Sequence, residues 1–154
     1  MCLSKIGVCG RVIDVNVYPI KKDFFYFMNF DINILIVEDL LTTRLFLRRT
    51  LKKLGYLNVV LAEDGQAALE EVKRKPFDLI ISDWHMPNMD GLDLFKELTK
   101  DRKLRDIPFL LITAEKEREK VVEAVAAGIK EYIVKPVKPE SLGNKIKEVV
   151  FGAA

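Results

Sequence analysis

Five residues of reactive type each follow a short apolar run. Glu38 and Asp39 follow Ile34–Val37, and Asp83 closes a run that begins at Leu79. Thr113 follows Phe109–Ile112, and Lys135-Pro136 follows Tyr132–Val134. Taken singly these positions are bland, since a lone Asp at a strand end is ordinarily a helix cap or turn residue. Together, spread over four strand ends of one sheet, they call for a chemical reason. Three carboxylates gathered at one place repel, so some must protonate or a cation must join them. Neither His nor Cys accompanies them, and an all-oxygen donor set suits a hard ion, Mg²⁺ first and Mn²⁺ second. A divalent ion beside carboxylates, with a hydroxyl and an ammonium facing it, is equipment for phosphoryl transfer. Asp83 is the candidate acceptor, because a carboxylate can attack phosphorus and form an acyl phosphate. Thr113 has no neighbouring base, and Cys2 and Cys9 lie outside the periodic region. The single histidine, His85, has no second soft ligand to share a metal with and is expected at the rim, beside Trp84.

The elements that would position these residues are legible in the apolar pattern. The runs Ile34–Val37, Val59–Leu61, Leu79–Ile81, Phe109–Ile112 and Tyr132–Val134 are short and do not alternate, as strands buried on both faces do. Between them the apolar spacing is helical. Leu47, Leu51 and Leu54 mark a helix stopped by Gly55, and Ala68 and Val72 one ended by Pro76. Leu94 and Leu98 mark a third, and Val121, Val122 and Val125 a fourth ended by Gly128. Leu142, Ile146 and Val149 mark a fifth, opened by Pro139-Glu140. Five strands alternating with five helices predict a doubly wound, five-stranded parallel α/β sheet. Ligands of such sheets bind outside the carboxyl ends of the strands, where Glu38, Asp39, Asp83, Thr113 and Lys135 fall.

Composition narrows the class. The 154 residues, 49% apolar and 31% charged, suit one domain with a sizeable core. A formal net charge of +2 leaves no bulk field to hold nucleic acid or an anionic membrane. Two cysteines make neither a disulfide framework nor a zinc site. No apolar run reaches the ~18 residues of a membrane span, and Asp14 and Asn16 interrupt any signal-peptide core. A cytoplasmic, monomeric protein is the expectation. Residues 1–30 differ from the rest, holding six of the aromatics, among them Phe24, Phe25, Tyr26 and Phe27. They are expected to be a mis-assigned start or a poorly ordered extension, with 31–154 as the functional domain; the rival is an aromatic docking or membrane-surface segment.

The motifs Ile34–Asp39, Asp83-Trp84-His85-Met86-Pro87-Asn88-Met89-Asp90-Gly91, Leu111–Glu115 and Tyr132–Pro136 resemble the receiver domain of two-component response regulators over about residues 31–151. Within that family the chain is most similar to the single-domain chemotaxis regulators of CheY type, through Trp84, the triplet Thr113-Ala114-Glu115, Asn88–Gly91 and Tyr132. The resemblance implies a flavodoxin-like sheet in strand order 2-1-3-4-5 and phosphorylation of Asp83. It implies Mg²⁺ held by Asp39, Asp83 and the backbone carbonyl of His85, with Glu38 acting through a water. Lys135, ahead of a cis proline bond, would contact the phosphoryl group, and Thr113 and Tyr132 would form the switch. CheY proteins commonly carry Asn where this chain has His85, which leaves the carbonyl ligand intact and bears on phosphoryl lifetime.

The implied mechanism is a signalling switch and not a turnover enzyme. Phosphorylation adds charge and acceptor oxygens at Asp83, Thr113 moves towards them, and Tyr132 turns inward into the space left. The face built by the fourth helix, fifth strand and fifth helix changes shape, and a partner that prefers the new face reads the change. Lys116, Arg118, Lys120 and Lys145, mixed with Glu115, Glu117 and Glu119, suit such a docking face and equally an ordinary solvated surface. With the sequence ending at Ala154, output is expected to be a partner protein. By resemblance that is the flagellar motor switch, with a sensor histidine kinase as phosphodonor and a phosphatase as a further partner. The alternative is a phosphorelay intermediate that passes phosphate to a histidine phosphotransfer protein. A Mg²⁺-dependent phosphohydrolase of haloacid-dehalogenase type would need D-x-D after the first strand, where the chain has Glu38-Asp39-Leu40. A flavin carrier would need a phosphate-cradling Ser/Thr/Gly loop there, and carboxylates would repel it.

Overall fold

The computed structural model describes residues 6–8, 11–13, 31–114 and 118–152. Two short strands, β1 (Ile6–Val8) and β2 (Arg11–Ile13), pair antiparallel with Ile6 opposite Ile13. The rest of residues 1–30, including Phe24–Phe27, lies outside the described residues, as do Glu115, Lys116 and Glu117. From residue 34 strands and helices alternate: β3 (Ile34–Val37), α1 (Leu41–Lys53), β4 (Val59–Ala62), α2 (Gly65–Arg74), β5 (Leu79–Asp83) and α3 (Gly91–Lys100). They continue with β6 (Phe109–Thr113), α4 (Arg118–Ala127), β7 (Glu131–Val134) and α5 (Pro139–Phe151). The five strands β3–β7 form one parallel sheet in the order β4-β3-β5-β6-β7, the expected 2-1-3-4-5.

Strand residues alternate between two helical layers, which is why the runs are apolar throughout. Leu35, Val37, Ile80 and Leu111 face α2, α3 and α4, packing on Leu69, Val72, Leu94 and Ala124. Ile34, Ile36, Ile81 and Leu110 face α1 and α5, packing on Leu47, Leu51, Leu142 and Ile146. The central strands β3, β5 and β6 are buried along their length, whereas the edge strands β4 and β7 are partly open. Helices α2 and α3 start where their first turns find side-chain acceptors. Asp64 Oδ1 accepts from the Ala67 amide at 2.8 Å and Asp90 Oδ1 from the Asp93 amide at 2.8 Å, each satisfying a donor the helix cannot. The expected stops Gly55 and Gly128 lie at φ +94° and +110°, in the region that favours glycine.

Two sequence expectations are corrected. Val122 and Val125 are exposed at 71% and 55%, and α4 meets the core instead through Ala124, with Val121 and Ala127 half-buried. Three valines at helical spacing do not tell which arc faces inward when small alanines share the helix. Trp84, placed at the rim, is 3% exposed and packs among the buried residues beneath α2 and α3. Its large apolar ring gains more from burial than from a place beside charged groups.

Candidate functional site

The parallel sheet brings four strand ends to one edge. Glu38 and Asp39 leave β3, Asp83 ends β5, Thr113 ends β6, and Lys135 follows β7. Backbone bonds lock these ends in register. The Glu38 amide donates to Ala62 O at 3.1 Å, that of Trp84 to Ile112 O at 3.0 Å, and that of Lys135 to Thr113 O at 2.7 Å. One carboxylate oxygen from each of Glu38, Asp39 and Asp83 lies within 4.8 Å of the others. The Lys135 ammonium stands 2.7 Å from Asp83 Oδ1 and 4.0 Å from Glu38 Oε2. Lys135-Pro136 is cis, as the resemblance implies.

Burial sets the electrostatics. Glu38 is 1% exposed. Its Oε1 accepts from the Leu40 amide at 3.1 Å, while Oε2 is buried with no hydrogen-bond partner. Loss of water pushes its carboxyl from the ordinary 4.5 up to about 7, with the nearby Asp83 charge adding to the rise. Burial also raises the Asp83 carboxyl, against the pull of Lys135. For Lys135 the balance is reversed: burial disfavours its charge, but the bond to Asp83 wins and the ammonium is held more firmly than usual. Such a set of half-compensated carboxylates fits a hard cation, whose bound water would supply the missing donor at Glu38 Oε2.

Of the residues singled out by sequence, Glu38, Asp39, Asp83 and Lys135 meet in one cluster, and Thr113 is buried next to it on the β6 end. Tyr132 stands apart, 40% exposed on β7. The His85 side chain is exposed, its ring 6.4 Å from that of Trp84. Sequence reasoning missed three supports. Arg44, one turn into α1, donates from a guanidinium nitrogen to Glu38 O at 2.5 Å and reaches Asp39 O at 3.4 Å, fixing the loop that carries both acids. Asn88 donates to Asp64 Oδ2 at 2.9 Å, tying the loop after Asp83 to the start of α2. Asn88 takes φ +65° there, a conformation Asn tolerates better than most residues. Gly91 admits the third contact, since an added Cβ would lie 2.3 Å from Asp83 O. Six-residue spacing from Glu38 to Arg44 is the one usable sequence signal, because a long cation early in a helix can reach back to the preceding loop.

Residues 34–147 match the family model described as the response regulator receiver domain. The chain belongs to this family. Its curated relatives include the chemotaxis protein CheY-3 of Vibrio cholerae serotype O1, 41% identical over 79% of this chain and 94% of the relative. The chemotaxis protein CheY of Pseudomonas aeruginosa is 39% identical over 75% and 94% respectively. Among solved structures, CheY4 of Vibrio cholerae superposes with a TM-score of 0.71 at 35% identity, covering 77% of this chain and 98% of that one. The receiver domain of a Pseudomonas aeruginosa sensor histidine kinase, solved with a magnesium ion coordinated in its active-site cleft, gives 0.72 at 28% identity, covering 79% and 98%. A receiver domain from a Syntrophus aciditrophicus histidine kinase gives 0.73 at 34%, covering 79% and 92%. This receiver domain is thus CheY-like in sequence and fold, and receiver domains bind Mg²⁺ at an acidic pocket of the kind that Glu38, Asp39 and Asp83 form. As a signalling family it takes its phosphoryl group from a histidine kinase and acts on a downstream target. No helix among the described residues is long and apolar enough to cross a membrane.

Proposed function

We propose that the chain is a stand-alone response regulator that accepts a phosphoryl group on Asp83 in a Mg²⁺-dependent reaction and works in chemotaxis, on the flagellar motor switch. The carrying observation is the Lys135 ammonium 2.7 Å from Asp83 Oδ1 inside a cluster of three carboxylates. Support for the chemotaxis role comes from CheY relatives matched over 94% of their length. An Asp83 oxygen attacks the phosphorus of a phosphohistidine on the sensor kinase. The new bond is O–P; the P–N bond breaks, and its electron pair goes to the imidazole, which takes up a proton. Lys135 pairs with a phosphoryl oxygen, and the Thr113 hydroxyl donates to another. Asp39, Asp83, the backbone carbonyl of His85 and, through water, Glu38 would hold the ion, which when bound would screen charge on the transferring oxygens. Tyr132, now 40% exposed, follows Thr113 inward and alters the surface of α4, β7 and α5. Water later cleaves the acyl phosphate, so the protein returns to its ground state without turning over an external substrate; a phosphatase partner speeds this. The setting is cytoplasmic, the protein a monomer without nucleic-acid contacts, and the receiver unit comprises residues 31–154.

The test is incubation with acetyl phosphate and Mg²⁺, read by intact mass. Wild type gains one phosphoryl group and Asp83→Asn gains none. Equal labelling of the variant would overturn the acceptor assignment. A second reading, a phosphorelay intermediate, is favoured by the likeness to receiver domains of histidine kinases at 28% and 34% identity. Pulldown with the acyl-phosphate mimic beryllofluoride separates the two. Mimic-dependent enrichment of a motor component supports the chemotaxis role; a histidine phosphotransfer partner replaces it.

A further inference from the structure

We propose that a groove at the end of the sheet opposite Asp83 docks an acidic peptide segment of a partner protein, one whose carboxylates flank an apolar side chain, independently of phosphorylation. The groove, about 520 Å³, lies between the segment that leaves α2 and the turn that follows α3. Both segments feed the starts of strands, β5 at Leu79 and β6 at Phe109. Asp83 is the last residue of β5, so the groove is separated from it by the length of a strand, about 15 Å.

Its floor is apolar. Val72 and Phe77 are buried, and Leu104 and Ile107 are half-buried and packed on the same core layer. Its rim is cationic: Lys73, Arg74, Lys75 and Lys103 are exposed, and an adjoining hollow that shares Lys73, Asp101 and Leu104 adds Lys100 and Arg102. Among the residues lining the two hollows only Glu97 and Asp101 are acidic; counting also Glu71, which lies beside Arg74, the local excess is three. Over residues 31–154 as a whole the 21 basic and 21 acidic residues cancel, so the rest of that span carries the matching acidic excess. Both of those carboxylates are engaged: Glu97 pairs with Lys100 at 2.5 Å, and Asp101 Oδ1 accepts from the Lys103 amide at 2.8 Å. Arg74 pairs with Glu71 at 3.3 Å. Among the described residues Lys73, Lys75, Arg102 and Lys103 have no carboxylate partner. Attraction to helix C-terminal ends accounts for Lys73, Arg74 and Lys100 in the last turns of α2 and α3. It does not account for Arg102 and Lys103, which lie beyond those helices, and Lys75 caps α2 with its ammonium turned over the Phe77 ring.

Unpartnered cations around a recessed apolar floor complement carboxylates that flank one apolar anchor. A single-stranded nucleic acid would need exposed aromatic faces for stacking, and the groove's one ring, Phe77, is buried with the Lys75 ammonium 5.4 Å from its centroid. A membrane surface would need apolar groups that protrude, not a floor.

The test titrates the isotope-labelled full chain with a short synthetic peptide in which Glu residues flank Leu and Phe, followed by amide shifts. Shifts confined to 72–77 and 100–107 are expected, with equal affinity in the presence and absence of beryllofluoride and Mg²⁺. The double change Arg102→Glu and Lys103→Glu, outside the helices, should weaken binding by about tenfold, while leaving the melting curve and Asp83 labelling unchanged. The proposal is overturned if shifts fall on the carboxylate edge or on α4. It is also overturned if a twin peptide with Ser in place of Leu and Phe binds equally. Stronger binding of an oligonucleotide or of anionic vesicles, or self-association of the chain through this groove in sedimentation, overturns it too.

Discussion

Glu38 is the acid whose surroundings depart furthest from water, with one carboxylate oxygen buried and lacking a donor. Its carboxyl is raised from 4.5 to about 7 by burial, so the folded protein holds this proton more tightly than the unfolded chain. The stabilisation from that proton is fully present below 4.5 and is lost as pH climbs through 7. The raised Asp83 carboxyl acts in the same direction, whereas the raised Lys135 ammonium matters only in alkaline solution. In the presence of a chelator, unfolding free energy should fall by about 2–3 kcal/mol between pH 5 and 8, since each tenfold gain in proton affinity on folding is worth ~1.4 kcal/mol. Denaturant titrations across that range check this, and Glu38→Gln should flatten the slope. A variant as pH-sensitive as wild type would show that another group carries the effect. Mg²⁺ added at pH 8 should raise the denaturation midpoint in wild type, because a ligand that binds only the folded form stabilises it.

At the level of elements, the site depends on how closely α3 approaches β5. Gly91 opens α3 with its amide 2.8 Å from Trp84 O, and a Cβ there would meet Asp83 O at 2.3 Å and Leu111 Cδ1 at 3.0 Å. Backbone cannot give way as a side-chain tip can. Gly91→Ala should therefore cost about 1–3 kcal/mol of stability, as overpacking does, and slow Asp83 labelling by moving its backbone. A variant with unchanged midpoint and labelling rate would refute this. The chain announces such elements unevenly. Unbroken runs such as Leu79–Ile81 reveal buried strands, the crossover rules make them parallel and put the acids on one edge, and the strand order follows only from the family resemblance. That is why Glu38, Asp39, Asp83 and Lys135 could be grouped from sequence, and why the family followed from the motifs around them. Which arc of α4 turns inward could not be read, since Ala124 competes with Val122 and Val125 for the core. Neither the burial of Trp84 nor the reach of Arg44 to the Glu38 carbonyl is local in sequence; each depends on how helices close over strand ends.

Across the whole molecule, all five parallel strands, both helical layers and every candidate site residue lie between Ile34 and Phe151, and among the described residues β1 pairs with β2 alone. The core on the α1 and α5 face includes Ile32, and the Asn33 amide donates to Asp78 Oδ2 at 2.8 Å, anchoring the entry to β3 from within the domain. The acidic and basic residues of 31–154 also balance among themselves. A chain of residues 31–154 should therefore unfold cooperatively with a denaturant midpoint equal to that of the full sequence. It should also take up one phosphoryl group at the same rate with acetyl phosphate and Mg²⁺. Two-state unfolding by circular dichroism and fluorescence, paired with intact mass, separates the outcomes. A truncated chain that folds but labels slowly would assign residues 1–30 to the site. One that loses its cooperative transition would make the segment part of the fold and move the domain boundary towards the N-terminus.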